Sequence, residues 1–119
     1  MIKVFKFGGA SLKNAEAIKN ARTILKKFST ENIIVVVSAM GKTTNAFEKL
    51  TDACFNKREL SISILNEIKK YHFDIADELF SNKNNPIFNE LSNTFVELNW
   101  VIEDLALLPY NQQYDQIVS

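Results

Sequence analysis

Cysteine is nearly absent from this sequence: Cys54 is the only one in 119 residues. No internal disulfide can form, which excludes the small secreted scaffold held together by cross-links and favours the cytoplasm. No sign of charge prevails, because Lys+Arg 14 equals Asp+Glu 14. There is therefore no global basic field to recruit nucleic acid or an anionic membrane. No apolar run approaches the ~20 residues that a membrane-spanning helix needs. Lys3 and Lys6 interrupt the first apolar stretch, so the N-terminus lacks a signal-peptide pattern. The length corresponds to about one domain, able to bury roughly two-thirds of its unfolded surface. No repeat, low-complexity segment or internal domain boundary is visible.

Glycine is scarce too, with 3 in the chain: Gly8, Gly9 and Gly41. All follow a strand-like run. Glycine is required where φ is positive or where another group must approach the backbone closely. Its restriction to two points marks two loops as special.

Taken in order, residues 2–7 read as a strand, apolar enough on both faces to suggest a buried parallel strand. Ser11 or Asn14 can cap the next helix, whose apolar face is Ala15, Ile18, Ala21, Leu25 and Phe28. Ile33-Ile34-Val35-Val36-Val37 is an unbroken β-branched run. Two buried strands joined by a helix predict a parallel βαβ unit with a right-handed crossover. After the second strand, Asn45 and Glu48 have capping-box spacing, and a helix follows with Phe47, Leu50 and Cys54 on one face. Asn56-Lys57-Arg58 breaks it. Leu65, Ile68, His72, Ile75 and Leu79 predict a long helix over about 59–79. A polar loop with three asparagines precedes Pro86, which suits the first turn of another helix. That helix carries Ile87, Leu91, Phe95, Leu98, Ile102 and Leu105, and Pro109 is expected to end it. The two long helices predict an antiparallel hairpin. Residues 110–119 suggest a turn leading into a new helix.

Parallel α/β sheets bind ligands at the carboxyl ends of their strands. The first loop holds Lys6, Gly8, Gly9 and Ser11, which supply a charge, a closely approachable backbone and a hydroxyl suited to phosphate. The second holds Ser38, Gly41, Thr43, Thr44 and Asn45, whose hydroxyls and amide suit a small anion such as a carboxylate. Each has a plainer reading. Gly-Gly after a strand is often only a turn, and Thr44 or Asn45 can simply cap a helix. Gly41-Lys42-Thr43 matches the end of a P-loop, but Val36 stands where that motif needs its first glycine, so the P-loop is rejected. His72 lies on an apolar stripe as the only histidine and reads as a packing residue; Cys54 reads as a small core residue.

Two segments carry a family resemblance. Lys6-Phe7-Gly8-Gly9-Ala10-Ser11 is similar to the Lys-Phe-Gly-Gly-Thr-Ser opening of aspartate kinases. Val36-Val37-Ser38-Ala39-Met40-Gly41-Lys42-Thr43-Thr44-Asn45 resembles that family's second signature, in matching order and separation. Ala10 stands in place of the usual threonine, which removes a hydroxyl and leaves the backbone donors. The resemblance spans the chain and implies an α/β fold: the N-terminal part of an amino acid kinase-like parallel-sheet sandwich (β-α-β-α) followed by a long helical hairpin. In this reading 1–119 is a partial catalytic domain with a helical insertion over about 59–108. The chain stops one or two residues before the family's Gly-Glu pair, so the isolated chain is expected to be inactive.

The implied reaction is transfer of the ATP γ-phosphate to the β-carboxylate of L-aspartate, the first step of lysine, threonine and methionine biosynthesis. Lys6 would be catalytic and, with Gly8, Gly9 and Ser11, bind phosphate. Ser38 and Thr44 would hold aspartate. ATP and Mg²⁺ are the implied cofactors, with Mg²⁺ bridging the phosphates and no protein metal ligand in this chain. The resemblance implies no nucleic-acid or membrane partner and a homo-oligomeric full-length protein. The alternatives are a different amino-acid kinase of the same fold and an interaction module built on the helical hairpin, the latter favoured if Leu65, Ile68 and Ile75 are exposed.

Overall fold

The β-branched run Ile33–Val37 (β2) pairs in parallel with Lys3–Phe7 (β1), in a register that sets Lys3 opposite Ile33 and Phe7 opposite Val37. The computed structural model describes residues 1–105 and 117–118. Two further hydrogen bonds extend the ladder, from the Lys3 amide to the Asn32 carbonyl at 3.1 Å and from the Ser38 amide to the Phe7 carbonyl at 3.0 Å. The crossover is Ala15–Lys26 (α1), capped by Asn14, whose Oδ1 accepts the Ala17 amide at 2.8 Å. Of the two expected caps, Asn14 is the one used. Ser11 lies in a separate 3-10 turn, Gly9–Leu12.

Along β1 the burial alternates, with Val4 and Lys6 exposed and Lys3, Phe5 and Phe7 half-buried. Phe5 packs on Phe28 with ring centroids 4.9 Å apart. The expectation of strands buried on both faces is not met: Ile34 is 51% and Val37 62% exposed. A two-stranded sheet has two open edges, and α1 covers one face incompletely. An apolar groove of about 480 Å³ remains, with Leu12, Ile18 and Leu25 among the residues on its helical side and Phe7, Ile33 and Val35 on its sheet side.

The chain divides into two units, Met1–Thr43 and Thr44–Ser119. The sequence shows no such boundary because it falls in the first turn of a helix, Thr43–Asn56 (α2), rather than in a Gly- or Pro-rich linker. A 3-10 turn, Arg58–Leu60, then leads into Ser61–Leu79 (α3). Pro86–Asp104 (α4) starts with Pro86 at the expected place, and Asn85 Oδ1 accepts the Ile87 amide at 3.0 Å. α3 and α4 are antiparallel: Phe73 faces Phe88 near the loop, His72 faces Phe95, and Arg58 reaches Ile102 at the far end.

The core of this helical unit is Leu50, Cys54, Leu65, Ile68, Phe95, Ile102, Leu105 and Ile117. Burying a leucine or isoleucine contributes roughly 1.5–3 kcal/mol, so this cluster is the main source of the unit's stability. Leu65, Ile68 and Ile75 are all buried, which removes the condition that favoured an interaction hairpin. His72 is half-buried, and its Nδ1–H donates to the Ile68 carbonyl at 2.8 Å, a packing role as expected. The predicted stop at Pro109 and most of the expected turn and helix in 110–119 lie outside the described residues.

Candidate functional site

β1 delivers Lys6 to the carboxyl end of the sheet with its side chain exposed, opposite Val36 in the register. Gly8 follows in extended conformation (φ −79°, ψ 177°), and the chain tightens into the turn Gly9–Leu12, where the Ser11 amide donates to the Gly8 carbonyl at 3.1 Å. Backbone groups for an anion are therefore offered by a 3-10 turn and not by the N-terminus of α1, which Asn14 caps separately. Ser11 is exposed and also lines a small cavity of about 200 Å³ with Ala17 and Asn20 of α1.

The two glycines of this loop are not equivalent. A Cβ built at Gly8 meets nothing within 4 Å. A Cβ at Gly9 would lie 2.3 Å from the Gly41 carbonyl oxygen and 3.3 Å from that of Ala39. The Gly9 carbonyl accepts the Gly41 amide at 2.9 Å. Gly8 thus borders open space, whereas Gly9 is pressed against the second loop.

The second loop leaves β2 at Ser38, whose Oγ donates to the Ala39 carbonyl at 3.0 Å. Gly41 has φ 55°, the left-handed region that favours glycine. This lets the chain reverse so that both the amide and the Oγ1 of Thr43 donate to the Met40 carbonyl, at 3.1 and 2.5 Å. α2 consequently begins at Thr43, three residues before Ala46, where a cap at Asn45 would start it. Asn45 is inside its first turn and is not the cap, and Thr44 is its second residue, exposed and in the helical unit.

Lys6, Gly8, Gly9, Ser11 and Ser38 are therefore brought to the carboxyl end of the parallel pair within the first unit. Reasoning from the sequence missed the contact of Gly9 with Gly41 and the buried hydroxyl of Thr43; the scarcity of glycine was the available signal for the first. Among the described residues no group of three His, Cys, Asp or Glu side chains is placed to hold a metal ion. Cys54 is buried in the helical unit, and desolvation raises its thiol above the ordinary 9.0, opposed by the Arg58 charge and a hydrogen bond with Ser61.

The family model for the amino acid kinase family matches residues 1–108. The chain belongs to the amino acid kinase family. Within that family, it is 39% identical over 79 residues to aspartokinase 2, chloroplastic, of Arabidopsis thaliana, a match covering 64% of this chain and 14% of that protein. Aspartokinase 2 of Bacillus subtilis (strain 168) is 42% identical over 64 residues, covering 50% of this chain and 16% of its own length. The fold matches E. coli aspartokinase III in complex with aspartate and ADP, with a TM-score of 0.83 and 24% identity, over 99% of this chain and 25% of that one. The lysine and aspartate complex of the same enzyme gives a TM-score of 0.79 at 25% identity, covering 98% of this chain and 25% of that chain. The α/β fold with parallel strands and a helical hairpin is thus that of an amino acid kinase. This chain spans only a minor part of the length of each relative. No helix among the described residues is long and apolar enough to cross a membrane, and the plant relatives are chloroplastic by name.

Proposed function

We propose that this chain supplies the phosphate loop and the substrate loop of an aspartokinase, which transfers the γ-phosphate of ATP to the β-carboxylate of L-aspartate. The observation that supports it most is the joining of two family-like loops, one after each parallel strand, through the bond between Gly9 and Gly41. The aspartokinase names of the relatives select the substrate.

The chemistry suits the residues. A carboxylate with a pKa of about 4 is already an ionised nucleophile at neutral pH, so no general base is needed. Positioning and charge neutralisation remain to be supplied. Lys6, exposed at the strand end, neutralises the transferring phosphoryl oxygens. The open space over Gly8 lets a phosphate approach the backbone, and Gly9 and Ser11 complete that loop. Ser38 and Thr44 hold aspartate by its charged groups. Mg²⁺ would accompany the nucleotide phosphates; among the described residues no group of three His, Cys, Asp or Glu side chains is placed to hold it. The cytoplasm is the compartment proposed from the single cysteine. We further propose that the 119-residue chain does not turn over aspartate by itself, since it matches a quarter of the E. coli enzyme's chain.

The test is a hybrid in which this chain replaces its matched segment in E. coli aspartokinase III. Aspartyl phosphate formation by the hybrid and none by the isolated chain is the expected result. A hybrid that folds, binds ATP and prefers another amino acid would overturn the substrate assignment in favour of a different amino-acid kinase.

A further inference from the structure

We propose that Gly9 is a positioning residue: its carbonyl oxygen and its missing side chain hold the loop at residues 38–42, so that the substrate loop is aligned from the phosphate loop. The inference rests on the aspartokinase reading only for what the two loops bind.

Three observations carry it. The Gly9 carbonyl accepts the Gly41 amide at 2.9 Å, a backbone bond outside both the strand ladder and any helix. Any side chain at position 9 would collide with the carbonyl oxygen of Gly41 at 2.3 Å, and backbone cannot swing away as a flexible side chain can. At Gly8, one residue earlier, the same test finds open space. The fold itself therefore makes no demand for glycine at 8, whereas at 9 the neighbouring loop excludes any side chain. Gly41 is itself in the left-handed region, and the Thr43 hydroxyl fastens the turn behind it to Met40, so the second loop has little freedom to retreat from an added methyl group. A displacement of about 1 Å in a substrate-positioning group can cost roughly 10²-fold in rate.

The clasp can be read without any ligand. In the ¹⁵N-labelled 119-residue chain the Gly41 amide is expected to exchange with solvent at least about tenfold more slowly than an open loop amide, as for a hydrogen-bonded backbone group. Gly9→Ala should abolish that protection and shift the amide resonances of residues 38–43, while the strand amides of Phe5 and Val35 stay in place. Gly8→Ala should leave Gly41 protected. In the E. coli hybrid, Gly9→Ala should raise the KM for aspartate about tenfold or more in the fraction that remains folded, whereas Gly8→Ala raises the KM for ATP alone. A Gly41 amide as exposed to exchange as an open loop in the unaltered chain overturns the proposal, and that measurement stands even if Gly9→Ala does not fold. So does a folded Gly9→Ala chain with residues 38–43 unmoved. A protected Gly41 in a hybrid that ignores aspartate would instead overturn the aspartokinase reading and leave the clasp intact.

Discussion

The Arg58 guanidinium reaches across the helical unit and donates to the backbone carbonyl of Glu103 at 3.2 Å, and to that of Ile102. The last carbonyls of a helix have no partner within it, and the helix dipole places partial negative charge there. One arginine in the turn before α3 thus closes the end of α4, at a separation of 44 residues for the bond to Ile102.

Arg58→Met is expected to lower the stability of the helical unit by about 1–2 kcal/mol, because it removes a charged donor from the part-buried carbonyl of Ile102 as well as from the exposed one of Glu103. Arg58→Lys should recover only part of this, since a single ammonium cannot reproduce the planar fork. Urea unfolding followed by circular dichroism checks both. An Arg58→Met protein as stable as the parent would mean that water serves the carbonyls equally well.

Cys54 gives a pH dependence of definite sign. Burial raises its thiol above 9.0 in the folded chain. The unfolded chain therefore loses the proton first, and stability present below pH 9.0 declines as pH rises through the folded value. Tyr71, raised from 10.0 by burial, adds a loss further up the scale. Above pH 9.0, Cys54→Ala should flatten the fall in unfolding free energy. Arg58→Met should push the thiol higher still and slow its reaction with a disulfide reagent at fixed alkaline pH.

Lys6→Ala in the hybrid enzyme should reduce kcat by ~10²–10³, the usual cost of one lost charge-stabilising contact, with little change in melting temperature because the side chain is exposed. An unchanged turnover number would leave Lys6 a surface residue on an exposed strand face.

Thr43 and Thr44 are expected to separate cleanly despite being adjacent. Thr43 is buried and its hydroxyl donates to Met40, so Thr43→Val should cost about 1 kcal/mol of stability. Thr44 is exposed, so Thr44→Ala should hardly move the melting temperature. As an aspartate ligand it should raise the KM for aspartate about ten- to a hundred-fold, the worth of one hydrogen bond to a charged group, with the KM for ATP unchanged. A Thr44→Ala enzyme with an ordinary KM for aspartate would move the substrate site elsewhere.

What the sequence determined by itself is what depends on neighbours in the chain. The β-branched run at 33–37, the 3.6-residue spacing from Ala15 to Leu25, the stripe from Leu65 to Ile75 and the proline at 86 each act within one or two turns, and each element formed where its pattern lies. Glycine scarcity located the second loop for the same reason, because the left-handed backbone at Gly41 is a local demand. Tertiary structure decided the rest. Whether Ile34 and Val37 are covered depends on how many elements pack on the sheet, which no strand pattern encodes. One miss was local rather than tertiary: the helix start at Thr43 was taken from Asn45 by the left-handed turn at Gly41 and the hydroxyl bond to Met40, three residues away. A side chain at Gly9 is excluded because residues 39 and 41 fold back onto it, and Arg58 finds the end of α4 only once the hairpin has closed. The Gly9–Gly41 and Arg58–Ile102 contacts join groups far apart in the chain, and only folding brings them within hydrogen-bonding distance.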